Sequence, residues 1–242
     1  MMSLAVLDMD GTLLKRRTVD VLCKNLGLNE RLREIDKESK SLEDCEISAK
    51  IANLFSGVKA SRMEEIFDKI QLVEGAEEFV DFLKSKDFVT AIITDSYVFL
   101  ASRLARKVGI DVARGNELES VHGIVTGRII KPLGSKEKRQ KKHLKTAFSK
   151  LRAMNDLVKE FSIQGNRTLV VGDTQSDSLA IQKARVGIAF RPKDESITKV
   201  ADIVIRTDFY DLINSLKPFL ESWSISRTEN DVSERKRSAG FR

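Results

Sequence analysis

Cysteine and histidine are scarce, with two of each among 242 residues. Cys23 and Cys45 have no C-x-x-C spacing, which excludes a disulfide framework and a cysteine zinc site and leaves both as expected packing residues. His122 and His143 stand in no Ser-His-Asp or Cys-His arrangement, so both read as loop or surface residues. No apolar run approaches the ~18 residues that a membrane span needs. The opening M-M-S-L-A-V-L-D-M-D meets an acid before a secretory apolar region could form. A cytoplasmic protein with no membrane partner is expected. Beyond 12 Phe there are one Trp and two Tyr, and the basic stretches lack the interleaved aromatics that stack on bases.

What is present describes a globular chain large enough to bury a sizeable core, either one large domain or a core with a smaller insert. Hydrophobic residues make up 41% and charged residues 32%, and the formal net charge is +6. A basic surface of that kind attracts phosphates, whether on nucleic acid or on small metabolites.

Short apolar runs recur at 4–7 (L-A-V-L), 89–93 (V-T-A-I-I), 168–171 (T-L-V-V), 186–190 (V-G-I-A-F) and 203–205 (I-V-I). They are continuous rather than alternating, the pattern of strands covered on both faces in a parallel sheet. Helical periodicity lies between them. Ala76, Phe79, Val80 and Leu83 fall at i, i+3, i+4, i+7, as do Met63, Ile66, Phe67 and Ile70, the latter opening with a capping box at Ser61 and Glu64. Strands alternating with helices predict an α/β, Rossmann-like doubly wound fold. Roughly 80 residues separate the first two runs, whereas a crossover needs only about 12. The surplus predicts a small helical insert over 15–75, with 1–14 and 76–221 forming the core and 222–242 a flexible basic tail. The stretch 116–130, with H-G and T-G turn signals, reads as a β-hairpin.

In such a sheet ligands bind at the carboxyl ends of the strands. Three ends carry acids and hydroxyls: D-M-D-G-T after the first run, T-D-S after the second and G-D-T-Q-S-D after the third. If Asp8, Asp10, Asp173 and Asp177 converge, their mutual repulsion raises their pKa values unless a cation compensates. A hard divalent ion such as Mg²⁺, held by oxygens beside a substrate phosphate, fits that requirement. Thr94 and a nearby lysine would then hold phosphoryl oxygens.

These stretches, in this order, resemble the haloacid dehalogenase superfamily of phosphatases, and V-E-G-A-E-E-F-V-D-F-L, the hairpin ending in T-G-R and G-D-T-Q-S-D-S-L-A-I run parallel to its phosphoserine phosphatase branch. The resemblance covers the chain to about residue 220. It implies a helical cap between the first and second motifs, Asp8 as nucleophile forming an aspartyl-phosphate, and Asp10 as general acid and base. Asp8, Asp173 and the backbone carbonyl of Asp10 would ligate Mg²⁺, with Asp177 a further ligand or the group that orients a metal-bound water or the lysine. Thr94 and the N–H of Asp95 would bind the phosphoryl group. The family spacing places the motif lysine at Lys150, with Lys142 and Lys145 as alternatives.

The sequence departs from that branch where the substrate is recognised. Arg17 stands where a glutamate receives the substrate ammonium, and a guanidinium there favours a carboxylate or second phosphate. The cap arginine that grips the serine carboxylate has only Lys50 or Ile51 near its place. Asp95 replaces a glycine, and Ser176 replaces an asparagine. The expected function is a Mg²⁺-dependent phosphomonoesterase acting on a small anionic phosphorylated metabolite. A phosphotransferase or phosphomutase shares the same motifs. A nucleic-acid-associated protein would use the basic run at 135–145 (S-K-E-K-R-Q-K-K-H-L-K) and the tail. Dehalogenation is disfavoured by Asp10, because a departing halide needs no proton.

Overall fold

The computed structural model describes residues 2–38, 42, 44–134, 146–164 and 166–221. The basic run 135–145, with Lys142, His143 and Lys145, and the tail 222–242 lie outside the described residues.

Each apolar run forms a strand: β1 (Ser3–Leu7), β2 (Phe88–Tyr97), β5 (Thr168–Gly172), β6 (Val186–Phe190) and β7 (Ile203–Ile205). With β3 (Val112–Val121) and β4 (Ile124–Lys131) they make one seven-stranded sheet of order β4-β3-β2-β1-β5-β6-β7, parallel except for β4. Alternate side chains enter two cores, as the continuous runs require. Ala5, Leu7, Leu169, Val171 and Ile188 face one side with Phe79, Leu100 and Phe209 of α5 (Ala76–Lys84), α6 (Val98–Val108) and α10 (Phe209–Glu221). Leu4, Val6, Val170 and Ala189 face the other, against α7 (Thr146–Glu160) and α8 (Ser178–Lys183). Each fully buried large side chain contributes roughly 1.5–3 kcal/mol. Phe209 stacks between Phe79 and Phe190, with ring centroids at 5.0 and 4.3 Å, and fastens the last helix to the sheet.

Among the described residues between β1 and α5 the chain forms four helices: α1 (Thr18–Leu26), α2 (Asn29–Glu38), α3 (Asp44–Leu54) and α4 (Ala60–Phe67). The segments that lead out and back run side by side. Val73 N–H donates to the Leu13 carbonyl at 2.9 Å, and Lys15 N–H to the Gln71 carbonyl at 3.0 Å. The insert also touches the hairpin. Gly57 N–H donates to the Val125 carbonyl, Val125 N–H to Val58 and Ala60 N–H to Gly123, which covers part of the β4 edge.

Three local expectations change. The hairpin turns at His122-Gly123, where His122 is exposed at φ 50°, but Thr126-Gly127 is not a turn. Gly127 lies inside β4 at φ 81°, in a stretch of shifted register, and a Cβ there would stand 3.0 Å from Asn53 Cα on α3. Its T-G signal therefore marks a close approach of insert to hairpin rather than a chain reversal. The capping box at Ser61 and Glu64 does not form, because α4 begins at Ala60 after Lys59, which makes no side-chain cap. Of the two cysteines, Cys23 is buried as expected, whereas Cys45 is exposed on α3. No helix among the described residues is long and apolar enough to cross a membrane.

Candidate active site

β1 lies between β2 and β5, so the strand order reverses there and the crossovers diverge. The loops after these three strands converge on one cavity of about 290 Å³. The sheet side supplies Asp8, Asp10, Thr94, Asp95 and Asp173, α7 supplies Lys150, and the insert supplies Arg17, Val19, Ile47, Ser48 and Ile51. Tyr97 and Ile129 complete an apolar section of the wall.

Lys150 organises the charge. Its ammonium donates to Asp8 Oδ1 at 2.6 Å and to Asp177 Oδ1 at 2.7 Å, and lies 3.6 Å from Asp95 Oδ2. The lysine is only 3% exposed. Burial alone would depress its pKa, but Asp177, Asp8 and Asp95 pull the other way and hold it well above the ordinary value. Asp8 is pushed up by burial and by the neighbouring Asp177 and Asp173, against the opposing pull of Lys150. One ammonium thus faces more carboxylate charge than it can neutralise.

Asp177 closes a 3-10 turn over Gln175–Asp177, and its other oxygen accepts from the Thr174 N–H and hydroxyl, both at 3.3 Å. With both oxygens engaged, its geometry suits orientation of Lys150. Asp173 differs. It is 1% exposed, and neither carboxylate oxygen accepts a hydrogen bond within the described residues. Lys193 Nζ lies 2.7 Å from Oδ2, as an ion pair outside hydrogen-bonding geometry. Burial raises the Asp173 pKa, and Lys193 opposes the rise.

Buried carboxylate oxygens without donors are costly unless a cation meets them. Oxygens of Asp8, Asp173 and Asp177 lie within 4.8 Å of one another, so the donor set is hard and anionic. These residues fit a Mg²⁺-like ion.

Asp10 occupies a different environment from Asp8. Its Oδ1 accepts from the hydroxyl of Thr18, in the first turn of α1, and burial pushes its carboxyl up to about 6 against that hydrogen bond. Asp95 is also raised to about 6 by burial, with Lys150 opposing. Thr94 is buried, and its hydroxyl accepts from the Ser96 N–H at 3.1 Å. Arg17 precedes α1 and reaches the cavity while pairing with Asp20 at 3.3 Å and Asp36 at 3.5 Å. Of the two candidates near the missing cap arginine, Ile51 lines the cavity and Lys50 instead pairs with Glu38.

Comparison with known proteins fits this geometry. The family model for haloacid dehalogenase-like hydrolase matches residues 5–181. This chain belongs to the haloacid dehalogenase-like hydrolases. Within that family it is similar to a phosphoserine phosphatase of Archaeoglobus fulgidus, 33% identical over 82% of this chain and 55% of that protein. A phosphoserine phosphatase of Streptococcus thermophilus is 26% identical over 88% of this chain and 95% of its own. The chain therefore spans little more than half of the first relative and nearly all of the second. A solved substrate-bound phosphoserine phosphatase superposes with a TM-score of 0.76 at 25% identity, covering 90% of this chain and 99% of its own. A phospho-aspartyl intermediate analogue of phosphoserine phosphatase gives 0.75 at 26%, covering 89% and 99%.

Lys193, Ser96 and Asn116 are among the cavity residues of this haloacid dehalogenase-like chain that the sequence alone does not single out. Lys193 follows β6, a strand end that the sequence reading left out. Ser96 has a buried hydroxyl without a partner among the described residues, and it sits in the T-D-S stretch already singled out for Thr94. Asn116 ties β2 to the chain after β4: its amide donates to the Asp95 carbonyl at 2.5 Å, and its side-chain oxygen accepts from the Leu133 N–H at 2.9 Å. Nothing in a hairpin sequence marks that role.

Proposed function

We propose that this chain hydrolyses a phosphate monoester of a small anionic metabolite, with Mg²⁺ as cofactor and an aspartyl-phosphate intermediate on Asp8. The supporting observation is that two carboxylates of one cavity have different partners. Asp8 meets the Lys150 ammonium, which pulls against the burial that raises its pKa, whereas Asp10 is pushed up to about 6 by burial beside a hydroxyl. Lys150 and a bound cation would favour the ionised form of Asp8 as nucleophile, and Asp10 suits a proton carrier near neutral pH.

In the first step an Asp8 oxygen attacks phosphorus in line, the ester P–O bond breaks, and the Asp10 proton passes to the leaving oxygen. In the second step Asp10, now ionised, takes a proton from water. That water attacks phosphorus, the bond to Asp8 breaks, and phosphate departs. Thr94, the Asp95 N–H and Lys150 hold the phosphoryl oxygens throughout. Asp177 keeps Lys150 in place, and residues 15–75 close over the substrate as a cap. Asp8, Asp173 and the Asp10 carbonyl would hold Mg²⁺, which supplies positive charge against the phosphoryl oxygens.

Arg17 at the cavity in place of an ammonium acceptor supports an anionic group on the substrate, and relatives named phosphoserine phosphatase support the reaction class. The test is hydrolysis of a panel of metabolite phosphate esters with Mg²⁺, run on the wild-type protein and Asp8→Asn. Turnover by the wild type and its loss in the variant are expected. Equal activity of the two proteins would remove Asp8 as nucleophile.

A further inference from the structure

Lys193 meets Asp173 in two ways. Its backbone N–H donates to the Asp173 carbonyl at 2.9 Å, and its ammonium lies 2.7 Å from Asp173 Oδ2. The loop that carries it is also fixed two residues earlier, where Arg191, at φ 46°, donates its N–H to the Ile205 carbonyl at 2.6 Å. The backbone therefore places the lysine beside this acid. Gly11 leaves room for the contact: at φ 92° it carries no Cβ, and one built there would stand 2.1 Å from Asp173 Oδ2 and 2.3 Å from Lys193 Nζ. The first loop, the acid and the ammonium share a space that any larger residue would fill.

The two lysines of the site are not alike. Lys150 is buried and hydrogen-bonded to its acids. The side chain of Lys193 is 55% exposed and meets Asp173 without hydrogen-bonding geometry. Asp173 is buried, but a lysine whose side chain is half in water leaves such a contact at less cost than the buried Lys150 would. With Asp95, 3.6 Å from Lys150, the carboxylates of Asp8, Asp95, Asp173 and Asp177 outnumber the ammoniums of Lys150 and Lys193. An ammonium 2.7 Å from Asp173 Oδ2 stands where a cation would take that oxygen, so the two compete for it.

We propose that Lys193 is a resident counter-ion of the cation site, which neutralises Asp173 while no divalent ion is bound and gives up Oδ2 when one binds. The inference rests on the Mg²⁺ reading above. It makes the affinity for Mg²⁺ the outcome of a competition that the chain carries within itself, and it assigns to the loop after β6 a part in loading the site.

The test is calorimetric titration of the full chain with Mg²⁺, comparing wild type, Lys193→Gln, Lys193→Arg and Asp173→Asn. It is joined to amine-specific labelling of wild-type Lys193, read by mass spectrometry in EDTA and in Mg²⁺. Lys193→Gln is expected to bind Mg²⁺ about five- to tenfold more tightly than wild type. Lys193→Arg should stay near wild type, Asp173→Asn should lose binding, and Lys193 should label faster in Mg²⁺ than in EDTA. Equal or weaker binding by Lys193→Gln, or labelling indifferent to Mg²⁺, overturns the counter-ion role and leaves the cation site standing. Absence of Mg²⁺ binding in both wild type and Lys193→Gln overturns the site itself and this inference with it. The labelling arm uses only the wild-type chain, so it decides the matter even where a variant fails to fold.

Discussion

Replacing Lys150 by Met, which keeps much of the side-chain volume and removes the charge, leaves the Asp8 and Asp177 carboxylates facing each other in a buried setting. At 2.6 and 2.7 Å from the ammonium, each pair is worth about 6 kcal/mol of Coulomb attraction at an effective dielectric of ~20. Most of that is offset in the wild type by the cost of burying the lysine. The measurable loss is the penalty of stranded carboxylates, about 3–5 kcal/mol. For a chain of this length each kcal/mol moves Tm by about 2–4 °C, so a fall of roughly 6–20 °C is expected, followed by thermal and urea denaturation in EDTA. The loss should shrink as pH falls. Asp8 already has a raised pKa, so between its unfolded and folded values the native state binds more protons than the unfolded chain. Stability from that group therefore declines as pH rises through the window, and without Lys150 the window extends further upward. The double variant Asp8→Asn, Lys150→Met should recover part of the stability, since one stranded charge has gone. A Lys150→Met protein within 1 kcal/mol of wild type at pH 7, or one whose deficit is the same at pH 5 and pH 7, would refute the picture of Lys150 as the balancing charge.

Two further substitutions probe other walls of the cavity. Arg17→Glu should lower kcat/KM for an ester with an anionic head and raise it for phosphoserine, with Arg17→Gln intermediate. Because Arg17 is substantially exposed and its partners Asp20 and Asp36 more so, Arg17→Gln should change stability by no more than about 1 kcal/mol, and unchanged relative kcat/KM in Arg17→Glu would show that Arg17 does not meet the substrate. Gly11→Ala places a methyl group within 2.3 Å of both Asp173 Oδ2 and Lys193 Nζ at a φ of 92°. Backbone strain there costs roughly 1–3 kcal/mol, so a lower Tm and loss of Mg²⁺ binding are expected, and a variant with wild-type Tm and binding would place the acid elsewhere.

The reach of the sequence differs from element to element for physical reasons. A strand buried on both faces must be apolar at every position, so L-A-V-L and T-L-V-V announce β1 and β5 with no knowledge of the neighbours they pair with, and parallel sheets then direct attention to the residues that follow. Asp8, Thr94 and Asp173 were found by that rule, and Lys193 obeys it equally well, standing three residues beyond β6. R-P-K-D nevertheless has the composition of a solvated loop, and only the pairing of Lys193 with a buried acid distinguishes it from one. Lys150 is the reverse case. Apolar periodicity says nothing about which lysine of a basic stretch turns inward, so the assignment depended on the spacing of a family motif, while the packing of α7 against the sheet is what brings the ammonium to Asp8. Gly127 and Ser61 show the limit of local signals. T-G and S-x-x-E are turn and cap patterns only when no neighbour competes, and here α3 presses on Gly127 and the helix has already begun before Ser61. One partner that distinguishes Asp10 from Asp8 lies in the insert. Thr18, the first residue of α1, supplies its hydroxyl to Asp10 and opposes the rise that burial causes. In the proposed mechanism, movement of that helix would alter the setting of Asp10, so substrate recognition by the insert and proton transfer at the sheet would be joined through one side chain.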